Sequence, residues 1–314
     1  MSISAAGTGA RTRAGALNLL VAGVLWGTGG LAGSVLATKA DLHPLAVASY
    51  RLLLGGGFAV VLLWLTGGLR TFPRTYPRTY PRTFPRTGTV ARRLLTAGAL
   101  LALFQACYFA SVTLTSVSIA TMTTIGSAPV FVALGDAVLE RRRPSNATVL
   151  SLAGALLGLA LLTWSPGGGD RWRLVAGVAC ALVSGLGFAT LTLATRRQVE
   201  GLDPLRTTAF GLLVGGVLLL PLGLWTGMAL PARLDVLAVA AYLGVVPTAL
   251  AYLAYFRGLR RSQPVLAALA ALLEPLTAAL LAAVLLGERL GVLGWCGAAL
   301  LAGTIAASYL RPRE

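Results

Sequence analysis

Along most of the chain the apolar residues do not alternate with polar ones. They run on for about 18 residues or more and then give way to a short polar or Gly/Pro-rich stretch. Such runs fall near 15–37, 45–67, 94–115, 117–139 and 147–164, and again near 173–195, 205–227, 234–256, 263–285 and 291–310. A helix rising about 1.5 Å per residue needs about 20 apolar residues to cross a bilayer, so the pattern predicts an all-α integral membrane protein with ten transmembrane helices. The first run follows Arg11 and Arg13, as the core of a signal peptide would. It is longer than the roughly 7–15 apolar residues of such a segment and resembles a later run, so it reads as the first helix.

Composition agrees: 56% of the 314 residues are hydrophobic and 11% are charged. The net charge of +16 would suit a nucleic-acid binder only if it were gathered on one surface. Instead it is dealt out by loop. With both termini cytoplasmic, the inner side holds Arg11, Arg13, the arginines of 70–93, Arg141 to Arg143, Arg196, Arg197, Arg206, Arg257, Arg260, Arg261, Arg311 and Arg313. The outer side holds only Lys39, Arg171, Arg173, Arg233 and Arg289, with Arg51 alone inside a run. This is the positive-inside bias of a cytoplasmic-membrane protein with an even number of spans, and it accounts for the charge without nucleic acid.

The chain also resembles itself. At the spacing that carries Pro44 onto Pro204, Leu45, Tyr50, Leu52, Gly55 and Gly56 meet Leu205, Phe210, Leu212, Gly215 and Gly216. Leu20 to Val24 recurs as Leu174 to Val178, Leu36-Ala37-Thr38 recurs at 193–195, and Pro129 meets Pro275. The domain reading is a tail at 1–14, a five-helix repeat at 15–164 with a low-complexity cytoplasmic loop at 68–93, an outer linker at 165–172, a second five-helix repeat at 173–310 and a tail at 311–314. Five spans is an odd number, so the second copy enters the membrane inverted. Two inverted repeats around a central cavity at the midplane form the architecture of secondary transporters.

The residues Trp26-Gly27, Pro44 through Arg51, Leu243 through Tyr252, Leu273-Glu274-Pro275 and Leu286-Gly287-Glu288-Arg289 resemble the EamA-type branch of the drug/metabolite transporter superfamily, over nearly the whole chain. The resemblance implies a basket of ten helices around a cavity, and export or uptake of metabolites such as amino acids. In the first half the chain departs from the pattern, with Glu140-Arg141-Arg142 where a Gly-Glu pair is expected.

An ionisable group inside a span costs roughly 2.5–3.5 kcal/mol on insertion scales and is kept where it pairs, faces a cavity or works. Glu274 lies about 16 Å into the ninth run and Arg51 about 9 Å below the outer edge of the second, near enough in depth to share a cavity. Glu274 could hold an ammonium group or take up a proton, and Arg51 could hold a carboxylate; a structural ion pair is the alternative. Trp26, Gln105, Tyr108, Thr124, Tyr252 and Tyr255 bring polar atoms into the spans and complete the candidate substrate site. Pro129, Pro247 and Pro275 break helices around it and are candidate hinges. Gly154 and Gly158, with the glycines of the last run, predict close helix approach, within the chain or in a homodimer.

Cys107, Cys180 and Cys296 form no CxxC motif and His43 stands alone, so neither a metal site nor a cofactor is expected. No nucleophile-base set or phosphate loop points to an enzyme. The function expected is a secondary transporter that moves a small polar metabolite, an amino acid or related compound, by export. Its partners would be that substrate, membrane lipid and a coupling proton. A pore or scaffold, and an importer of sugar-like or drug-like solutes, are the alternatives. The loop of Thr-aromatic-Pro-Arg tetrapeptides at 71–86 reads as an extended linker.

Overall fold

The computed structural model describes residues 3–67, 87–115, 117–141, 145–162, 171–196, 202, 204–285 and 292–310. The tetrapeptide repeat, Gly167 to Gly169 and Gly287-Glu288-Arg289 lie outside the described residues. Every regular element among the described residues is helical: α1 (Ile3–Ala40), α2 (Pro44–Leu65), α3 (Thr87–Leu114), α4 (Val117–Glu140), α5 (Asn146–Leu162), α6 (Arg171–Arg196), α7 (Pro204–Thr226), α8 (Leu234–Gly244), α9 (Ala251–Leu259), α10 (Pro264–Ala271), α11 (Leu273–Leu285) and α12 (Val292–Leu310). A π-helical turn, Val245–Leu250, joins α8 to α9.

Six of the described helical stretches are long and apolar enough to cross a membrane: Ala14–Ala40, Pro44–Leu65, Gly88–Leu114, Arg171–Thr195, Arg206–Thr226 and Leu234–Leu259. Shorter apolar helices occupy Asn146–Gly158, Val265–Ala278 and Val292–Thr304. Large apolar side chains stand exposed around the outside, among them Trp64 at the end of α2, Trp225 at the end of α7 and Trp172 at the start of α6. Exposed apolar surface of this extent suits lipid, and tryptophans at helix ends suit its interface.

The structure departs from the sequence reading at three kinds of place. First, α1 begins at Ile3, so residues read as a tail continue the helix; Arg11 and Arg13 stop an apolar run without stopping helical backbone, for which arginine and alanine are good formers. Second, the eighth and ninth runs are interrupted. Pro247 has no N–H to give the Leu243 carbonyl, and the helix takes in an extra residue as a π-turn. The ninth run breaks at Leu272, whose N–H bonds to Leu269 O at 3.0 Å. Pro275 then stands in the first turn of α11, where no N–H is needed. By contrast α4 runs through Pro129 without a break.

The third difference is one of register. Packing in one half is repeated in the other: α2 lies along α7 and α5 along α12, α3 packs on α6 and α7 as the α8–α9 stretch packs on α1 and α2, and α4 packs on α6 as α10 and α11 pack on α1. A Cβ added at Gly56 would stand 2.5 Å from Leu213 N, and one at Gly216 would stand 2.8 Å from Leu53 Cδ2. These reciprocal approaches keep the Pro44-to-Pro204 register. In α1, however, Gly23 abuts Ala270 O and Leu273, whereas in α6 it is Gly185 that abuts Thr124 O and Ser127, the positions matched by the Pro129-to-Pro275 spacing. Likewise Gly15 abuts Arg261 and Gly177 abuts Thr115. The counterpart of Gly23 is therefore Gly185 and not the Gly177 of the short sequence match, and the counterpart of Trp26 becomes Phe188. Repeated Leu-Val-Ala-Gly strings in apolar helices do not set register; the surface against which each glycine packs does.

The α5 glycines are used inside the chain. A Cβ on Gly158 would meet Leu301 N at 2.8 Å and Gly297 O at 3.1 Å, so α5 and α12 approach backbone to backbone.

Candidate functional site

Where α1, α2, α3, α4, α6, α9, α10 and α11 converge they leave a cavity. Trp26, Arg51, Gln105, Tyr108, Thr124, Tyr252 and Glu274, all expected from the sequence, line it. Phe104, Ile125, Ala128, Phe188 and Ala271 complete the wall. Small-molecule sites in proteins have this mixture of an apolar lining with a few placed polar groups.

The remaining expected site residue, Tyr255, stands behind the wall. It is fully buried, its ring lies 5.0 Å from that of Trp26, and its hydroxyl shares a 2.8 Å hydrogen bond with Thr192. Thr192 in turn donates to Phe188 O at 2.9 Å. Tyr255 thus fixes the two aromatic rings, Trp26 and Phe188, that face each other 5.8 Å apart near the centre of the molecule. Tyr252 meets Trp26 edge-on at 5.2 Å, and Phe104 lies 5.4 Å from Phe188. Locked aromatic contacts of this kind make a rigid wall.

Arg51 is carried into the cavity from α2 and held by the π-turn. Its Nε donates to Thr248 Oγ1 at 3.1 Å and its Nη2 to Pro247 O at 3.4 Å, while the Thr248 hydroxyl donates to Leu243 O at 2.7 Å. Thr248 therefore satisfies the carbonyl that Pro247 leaves without a partner and also orients the guanidinium. Gly29 gives that guanidinium room, since a Cβ there would stand 3.3 Å from Nη2. Sequence reasoning missed Thr248; the available signal was a hydroxyl directly after a helix-breaking proline.

Glu274 enters from the first turn of α11. Gly27 permits the approach of α1 to it, as a Cβ at that position would lie 2.8 Å from Glu274 O. Among the described residues no ion pair within 4.0 Å joins Glu274 to Arg51, so the carboxyl group and the guanidinium line one cavity without direct contact. Tyr108 shares a 2.8 Å hydrogen bond with Thr121, and Thr124 donates to Ala181 O at 3.1 Å. Two donors on the wall remain unused among the described residues: Trp26 Nε1 and Gln105 Nε2 are buried with no hydrogen-bond partner.

The three expected hinge prolines adjoin this site. Pro247 lies in the turn that holds Arg51, and Pro275 follows Glu274 directly. Pro129 follows Ala128. The carbonyls that Pro129 and Pro275 cannot bond, four residues back, belong to Ile125 and Ala271, both on the cavity wall.

A multi-pass bundle of apolar helices around a polar-lined cavity is the form of a membrane transporter, and comparison with known proteins gives the family. The sequence model of the EamA-like transporter family matches residues 13–164 and 175–310, and the chain belongs to that family. It is 30% identical over 310 residues to the uncharacterized transporter YwfM of Bacillus subtilis (strain 168), covering 95% of this chain and 94% of that one. An uncharacterized transporter of Archaeoglobus fulgidus is 31% identical over 221 residues, 70% of this chain and 77% of its own. The uncharacterized inner membrane transporter YicL of Salmonella typhimurium is 23% identical over 303 residues, 96% of this chain and 97% of its own. A solved crystal structure at 20% identity superposes with a TM-score of 0.74 over 94% of this chain and 96% of that one, which establishes the shared fold.

Proposed function

We propose that this transporter is a secondary carrier that exports a small zwitterionic metabolite, an amino acid or close relative, across the cytoplasmic membrane by alternating access. In this reading the six long spans are joined by α4, α5, the α10–α11 pair and α12 to make ten, with both termini cytoplasmic and residues 173–310 inverted relative to 15–164. The repeated packing of the two halves and the family match on two successive segments support a duplicated unit. The cavity straddles the relation between the halves, because Trp26 and Phe188, Ile125 and Ala271, and Ala128 and Glu274 are matched positions and all line it. A pocket built from corresponding surfaces of two related units can open to either face as they exchange conformations.

The observation that carries the substrate assignment is an acidic and a basic side chain on one cavity without a direct ion pair between them. Arg51 and Glu274 are each costly in a bilayer, and among the described residues neither is paired with the other. A ligand with both a carboxylate and an ammonium group supplies the missing partners. The test is counterflow in proteoliposomes loaded with a panel of amino acids. Saturable uptake of labelled substrate that unlabelled substrate competes away supports the carrier; flux linear in concentration, without competition, supports a pore and overturns the proposal.

A further inference from the structure

Trp26 and Gln105 both line the cavity, and each carries a buried N–H donor that has no partner among the described residues. Trp26 is 3% exposed and Gln105 1% exposed. The position matched to Trp26 in the other half is Phe188, a ring without a donor, and the position matched to Gln105, counted past the extra residue of the π-turn, is Tyr252, a buried phenol ring that lines the same cavity and has no N–H. The same helix-to-helix geometry is thus built across the pseudo-symmetric relation with no N–H at either place. Buried donors are almost always paired in folded proteins, and two unpaired ones on residues that line one cavity mark a place where an acceptor from outside belongs.

The chemistry of that acceptor follows from the rest of the wall. Arg51 already gives hydrogen bonds to Thr248 and Pro247, so it contributes charge to the cavity while its directed bonds are partly committed. Glu274 brings a carboxyl group to the same space. The acceptor must therefore be an anion of single charge that sits near a guanidinium, takes two neutral N–H donors and does not bring enough charge to be expelled by Glu274. A carboxylate, with two oxygens to offer two donors, fits these terms, whereas a phosphate carries more charge and more oxygens than these donors can serve.

We infer that Trp26 Nε1–H and the Gln105 amide form a two-donor subsite that receives the carboxylate of an amino-acid substrate and distinguishes it from the corresponding amine or amide. The inference rests on the carrier reading of the same cavity and assigns the specificity-determining residues within it. Trp26 on α1 and Gln105 on α3 come from different parts of the bundle, so the substrate's carboxylate ties those two helices together when it binds.

The test uses the purified full-length chain in detergent. The proteinogenic L-amino acids are offered one by one, and the strongest binder by thermal stabilisation is then compared with its carboxamide and its decarboxylated amine. Trp26→Phe keeps a ring that the matched position already accommodates, and Gln105→Leu keeps the volume while removing the donor. Each variant should weaken the amino acid about tenfold or more, the effect of a lost hydrogen bond to a charged group, while leaving the amide and the amine nearly unchanged, so that selectivity for the carboxylate collapses. Equal weakening of all three probes, or unchanged selectivity in both variants, overturns the subsite. Amine binding that Glu274→Gln abolishes, with no preference for the amino acid in the unmodified chain, overturns the subsite but leaves the carrier reading standing. If no amino acid binds at all, the zwitterion assignment and the subsite fall together.

Discussion

Replacing Thr248 by valine removes one hydroxyl and almost no volume, from a residue that is fully buried. The change acts on two bonds at once. The Leu243 carbonyl loses its 2.7 Å donor, and Pro247 has no N–H with which to replace it. A buried carbonyl left without a partner costs about 1–3 kcal/mol. Arg51 loses the 3.1 Å bond from Nε and keeps only the longer 3.4 Å contact with Pro247 O. A guanidinium held by one poorly aligned bond samples several rotamers, and about 1.4 kcal/mol of lost orientation is a tenfold loss of substrate affinity. Thr248→Val should therefore lower the midpoint of thermal unfolding and raise the KM for counterflow about tenfold. Thr248→Ser keeps the hydroxyl and should restore KM. Initial rates over a range of substrate concentrations in proteoliposomes, with unfolding followed in parallel, give both quantities. Unchanged KM in a valine variant that folds and inserts normally would refute the view that Thr248 orients Arg51.

Three further outcomes follow from the same geometry. Gly56→Val and Gly216→Val each push a side chain into the facing helix, at Leu213 and Leu53 respectively, and should destabilise the bundle to a similar degree, measured as loss of monodisperse protein after extraction. Unequal effects would contradict the reciprocal packing of α2 and α7. Glu274→Gln keeps the shape and removes the charge; counterflow should fall by about tenfold or more, and any dependence of flux on pH seen in the unmodified chain should flatten. A variant with full, pH-dependent flux would exclude proton coupling at this residue. Deletion of the repeat at 71–86 should leave transport rates unchanged in the reconstituted protein, since it reads as a linker that carries topogenic charge.

The helices were legible because lipid imposes a simple rule: every backbone polar group must be bonded within its own segment, so a long apolar run can only be a helix. The expected runs and the observed elements accordingly agree to within a few residues at most ends, as for 117–139 against Val117–Glu140. What the pattern could not show was the interruption at Leu272 or the π-turn at Val245–Leu250. Both arise from a proline whose effect depends on its neighbours, and Pro129 in a similar setting leaves α4 unbroken. Glu274 and Arg51 were legible as rare charges in apolar surroundings, and the structure brings both to one cavity. Thr248 was not, because a buried hydroxyl in a span is common and only its position against Arg51 and Leu243 gives it work. Nor were Phe104 and Phe188, since an aromatic ring on an apolar helix looks the same whether it faces a cavity or packs behind one. Tyr255 is the reverse case, a polar-tipped ring that the sequence places among the site residues and that packs against Trp26 while its hydroxyl bonds to Thr192.

If residues 173–310 lie in the membrane inverted relative to 15–164, as proposed, side-specific labelling will reveal it. In a background with Cys107, Cys180 and Cys296 replaced, single cysteines at Tyr76 and at Gly168 are exposed to an impermeant maleimide in intact cells and in inside-out vesicles. Gly168→Cys should react from outside and Tyr76→Cys only from the cytoplasmic side. Labelling of both from the same side would contradict the inversion.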